Sequence, residues 1–233
     1  MTGTDPTFIA SGKDITFVNG GTGNIVLSDT ANLTIDTGSG AIGNVSISDT
    51  ITNTTGSGDD ATDVTIIAGS GTVGIAEISG DINDVAITTT GVITLSGDIT
   101  TAQDTNDSGT AHGDVTITGP VSVGANLTIT TNSTGNNGDV TLTSTVLSDS
   151  AKTLTIASGT GPVNIGGTIG GTTNKHLGAL TINSANGSGN TGTIEVADIG
   201  VSSTDGGVAV SYTHLRAHET REDLVCRVVG EKK

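Results

Sequence analysis

The stretch Gly113 to Thr130, GDVTITGPVSVGANLTIT, holds three apolar-polar-apolar triplets: Val115-Thr116-Ile117, Val121-Ser122-Val123 and Leu127-Thr128-Ile129. Each reads as a very short strand, aliphatic on one face and hydroxyl-bearing on the other, with the period of two that a half-buried strand requires. Gly119-Pro120 and Gly124-Ala125-Asn126 stand between them. Those residues suit turns, because proline pre-sets one backbone angle and glycine or asparagine tolerates positive φ. The same unit recurs from Asp14 onward, for example at Ile15-Thr16-Phe17, Leu33-Thr34-Ile35, Val64-Thr65-Ile66, Val85-Ala86-Ile87, Leu154-Thr155-Ile156 and Ile194-Glu195-Val196. Asp or Asn directly precedes many of these triplets, at Asn32, Asn44, Asp63, Asp84, Asp114, Asn126 and Asp139. There its side chain is expected to bond backbone groups and close the preceding turn.

A longer repeat overlies the triplets. The leaders Val64, Val85, Val115 and Val140 are 21, 30 and 25 residues apart, and Leu154 and Leu180 are 26 apart. Asp84 to Ile99 (DVAITTTGVITLSGDI) also aligns with Thr153 to Ile169 (TLTIASGTGPVNIGGTI), closing Gly-x-Ile step included. Such a period signifies stacked supersecondary units. The core must be narrow as well, since the chain has no Trp, one Tyr (Tyr212) and only Phe8 and Phe17. We therefore expect an all-β, right-handed parallel β-helix (solenoid) of short strands, with tandem β-sandwich repeats as the alternative. Residues 1–13 are expected to be irregular and residues 14–209 to form the solenoid. Variable loops such as Thr52 to Thr62 and Thr100 to Gly113 should leave from one corner.

The formal net charge of -16 disfavours nucleic acid and anionic membranes as partners, since both demand a basic footprint. One cysteine, Cys226, cannot form an internal disulfide. There is no apolar run long enough to span a bilayer, and the first residues lack the basic and apolar regions of a signal peptide.

At about residue 210 the composition changes. VSYTHLRAHETREDLVCRVVGEKK, Val210 to Lys233, holds five of the eight Lys and Arg and has helical spacing at Leu215, Leu224, Val225 and Val228. The string resembles the conceptual translation of a sequencing-library adapter, with Val228-Val229-Gly230 departing from that pattern. That resemblance implies a non-native helical tail.

Few residues suggest chemistry. His214 and His218 stand four apart beside Glu219, a zinc-like helical spacing that the adapter resemblance removes. Asp104 and Asp107 open a calcium-type loop that Val115 fails to close, and Asp59, Asp60 and Asp63 cluster in another loop that could hold a hard cation weakly. Calcium is thus the one cofactor these residues suggest, against a solvated loop as the plainer reading. Gly20 to Asn24 lacks the lysine and helix of a phosphate loop. Repeated outward threonines, among them Thr116, Thr128 and Thr141, suit an ice-binding face or simply an exposed strand. Seven Asn-x-Ser/Thr sequons follow from the composition. Catalysis is hard to seat before residue 210: the chain there has no Arg, Trp or Tyr, and His112 and His176 are expected in solvated loops.

Residues 14–209 resemble bacterial secreted β-strand-repeat proteins of the filamentous-haemagglutinin-like adhesin type. Leu154 to Asn186, LTIASGTGPVNIGGTIGGTTNKHLGALTINSAN, carries the likeness. It implies a non-catalytic rod of a large surface-exposed or secreted protein, extracellular, meeting host or environmental ligands that include glycans, without membrane insertion in this stretch. A polysaccharide-binding or -cleaving β-helix is the alternative; an ice-binding or calcium-binding repeat protein is the second. Open coil ends are expected to favour self-association.

Overall fold

The computed structural model describes residues 5–18, 23–28, 31–40, 42–53, 62–102, 113–131, 138–171, 175–183 and 193–200, with the backbone of 209–212. All regular structure among them is β. The strands in chain order are β1 (Thr7–Ile9), β2 (Ile15–Phe17), β3 (Ile25–Leu27), β4 (Leu33–Asp36), β5 (Val45–Asn53), β6 (Val64–Ile67), β7 (Val73–Gly80), β8 (Val85–Thr88), β9 (Ile93–Leu95) and β10 (Ile99–Thr100). They continue as β11 (Val115–Thr118), β12 (Val121–Val123), β13 (Leu127–Thr130), β14 (Val140–Leu142), β15 (Val146–Leu147), β16 (Thr153–Ala157), β17 (Val163–Gly170), β18 (Ala179–Asn183), β19 (Ile194–Gly200) and β20 (Ala209–Tyr212).

Every pairing is parallel, and each strand joins its counterpart one repeat away. The chain is a β-solenoid with three faces. The first stacks β1, β4, β6, β8, β11, β14 and the starts of β17 and β19. The second stacks β2, the starts of β5 and β7, β9, β12, β15 and the ends of β17 and β19. The third stacks β3, the ends of β5 and β7, β10, β13, β16, β18 and β20. Sandwich repeats are excluded, because they pair antiparallel. Strands that run through a corner do so at a shift of register, between Ile47 and Thr50 in β5 and between Ile165 and Thr168 in β17.

Alternation along each strand places one set of side chains inside. On the first face Ile35, Ile66, Ile87, Ile117, Leu142 and Ile165 stack in register and are buried. On the third face the ladder is isoleucine over seven successive levels: Ile25, Ile51, Ile78, Ile99, Ile129, Ile156 and Ile182. Burying one such side chain contributes about 1.5–3 kcal/mol, so the aliphatic ladders supply the main driving force. Aromatic bulk is not needed for a core this thin.

Two expectations require correction. The alignment of Asp84–Ile99 with Thr153–Ile169 is one face out of step: Val85 lies on the first face against Val64 and Val115, whereas Leu154 lies on the third against Leu127 and Leu180. All three faces carry the same triplet, so sequence comparison cannot tell them apart. Residues 1–13 are not wholly irregular, since Thr7–Ile9 form β1 and pair with β4. Strand β20 runs across residue 209, with Val210 opposite Leu180. The helical spacing beyond Leu215 lies outside the described residues.

Candidate functional site

The Asp and Asn residues that precede the first-face strands form an inter-coil ladder. Asp5 Oδ1 accepts the Asn32 N–H at 3.0 Å, Asn32 Oδ1 accepts that of Asp63 at 2.7 Å, and Asp63 Oδ1 accepts that of Asp84 at 3.1 Å. Asp84 Oδ1 then accepts from Asp114 at 2.7 Å, and Asp114 Oδ1 from Asp139 at 2.8 Å. These side chains were expected to close their own turns. They reach instead to the next coil, 21 to 31 residues on, because the corner turns each side chain along the stack toward the amide that follows. Shorter ladders occur at the other corners, from Asp14 to Asn44 and on to Thr72, from Asp98 to Thr128, and from Asn126 to Thr153. A hydrogen bond to a charged group contributes about 1.5–3 kcal/mol. Asp114→Ala is accordingly expected to destabilise by about 1–3 kcal/mol, with faster hydrogen exchange at the Asp139 amide. Asp114→Asn should retain most of the stability, since Asn32 already fills the same role. Equal loss in both variants would contradict the ladder.

This corner, from the third face to the first, is also where the chain varies in length. The segments 54–61, 103–112, 132–137 and 184–192 all connect a third-face strand to a first-face strand, as the reading of Thr52–Thr62 and Thr100–Gly113 as corner loops requires. The flanks of the first three are tied by buried polar clasps. Asn53 Nδ2 donates to Thr62 Oγ1 at 2.8 Å, Thr101 Oγ1 to the Gly113 carbonyl at 2.5 Å, and Thr131 Oγ1 to the Gly138 carbonyl at 2.7 Å. Ser158 Oγ makes the same bond to the Gly161 carbonyl across a short turn. Each clasp residue follows by two the isoleucine of its level, Ile51, Ile99, Ile129 or Ile156. Gly113, at φ +70, has a conformation that glycine tolerates, and a Cβ there would meet Thr101 Oγ1 at 3.1 Å. Exit and return of an insert thus coincide, whatever its length. Sequence reasoning missed these four residues, although a polar residue two places after an inward isoleucine was the available signal.

Of the calcium candidates, Asp63 is described, and its Oδ1 is occupied by the Asp84 N–H and by Asn83 Nδ2 at 3.2 Å. Asp59, Asp60, Asp104 and Asp107 lie outside the described residues, as do His112, His214, His218 and Glu219. Among the described residues no three His, Cys, Asp or Glu gather in metal-binding proximity, and no helix is long and apolar enough to cross a membrane. His176 is half-buried rather than solvated. The asparagines of four sequons are engaged by the coil: Asn32, Asn44 and Asn126 in ladders and Asn53 in a clasp.

No family model matches the chain, and neither a curated protein nor a solved structure matches it. Its surface chemistry must be read from its own coils. Thr34, Thr65, Thr116 and Thr141 share one outward row of the first face, interrupted by Ala86 and ended by Asn164 and Glu195. Thr128, Thr155 and Thr181 share a row on the third. The one described ion pair joins the ammonium of Lys175 to the carboxylate of Asp149, both well exposed, and adds little to stability.

Proposed function

We propose that the chain is a stiff, non-catalytic segment of a surface-exposed or secreted rod, whose corner inserts meet environmental ligands such as glycans. The observation that carries this reading is the independence of register from insert length. Steps of 21, 30 and 25 residues separate Val64, Val85, Val115 and Val140, yet all four occupy one ladder. A scaffold that absorbs such differences at one corner can vary its contact surface without disturbing its core.

The test is binding by the purified chain to glycan arrays and cultured cells, beside a variant in which 103–112 is replaced by a short Gly-Ser turn. The expected result is retention of the wild type, weaker retention of the variant and unchanged circular dichroism for both. Failure to bind any surface would defeat the adhesive reading. Release of new reducing ends from polysaccharides would establish the enzymatic alternative instead. The outward threonine rows favour a second reading, ice binding, which thermal hysteresis in dilute solution would detect.

The same proposal treats Val210 to Lys233 as foreign to the rod. The register supports this, since Tyr212 follows Ile182 at a position that is isoleucine in the seven preceding levels. Adapter-free long reads across the codon for Ala209 should encode a different continuation; reads that still encode these residues would overturn it.

A further inference from the structure

We draw no further inference here: the strongest candidate, the surface patch of outward threonines on the first face at Thr88, Thr116, Thr118 and Thr141, already belongs to the ice-binding reading, and nothing in the structure shows what else would cover it.

Discussion

Ile117→Ala should cost about 2–5 kcal/mol, the range for removing most of a fully buried aliphatic side chain and leaving a cavity. Ile117 is 0% exposed and stands in the first-face ladder between Ile87 and Leu142. Neighbouring coils cannot collapse into the gap, because their spacing is set by strand pairing on all three faces. The loss should also be local. In a stack where each coil touches only its neighbours, stability is close to a sum of nearest-neighbour terms. Hydrogen exchange should therefore accelerate in β8, β11 and β14 and remain slow in β4 and β18. A change below about 1 kcal/mol, or an even loss of protection along the whole chain, would refute the nearest-neighbour description.

The second large effect concerns glycine. Gly43, Gly71 and Gly91 stack at the corner before the second face, and a Cβ on Gly71 would lie 2.0 Å from the Gly43 carbonyl oxygen. On Gly91 it would lie 2.3 Å from that of Gly71. The obstacle is backbone, which cannot rotate aside. Gly71→Val is expected to cost about 3 kcal/mol or more, at or above the upper end of ordinary overpacking. Gly74 is the internal control. It lies at an outward position of β7, where an added Cβ would meet nothing within 4 Å, so Gly74→Val should be neutral within about 0.5 kcal/mol. Chemical denaturation of the pair checks both, and similar midpoints would show that the corner can open after all.

How far the chain could be read from its residues follows from the same geometry. Triplets such as Val115-Thr116-Ile117 revealed the strands because period two is a local property. The aliphatic composition pointed to a thin core. The phase of the three faces was hidden, since Val85 and Leu154 lead identical patterns and only pairing distinguishes them. Strand β1 was missed because its Phe8 lies inward, in register with Ile35, between Thr7 and Ile9 rather than in an apolar-polar-apolar triplet. The clasps were hidden for a different reason: Thr101 resembles any outward threonine, and its burial arises where the chain leaves the coil. Asp63 illustrates the limit for sites. A carboxylate in an acidic cluster looks like a cation ligand until its oxygen is found on the amide of the next coil.

The acceptor ladder also has a sense of time. In each of its bonds the oxygen belongs to the earlier coil and the N–H to the later one, from Asp5 through Asp114. A chain that emerges from the ribosome N-terminus first therefore meets a finished surface at every turn, with carboxylates already aimed at the amides still to come. Growth by accretion, one coil at a time, removes the need to search for distant partners that makes parallel sheets slow to fold.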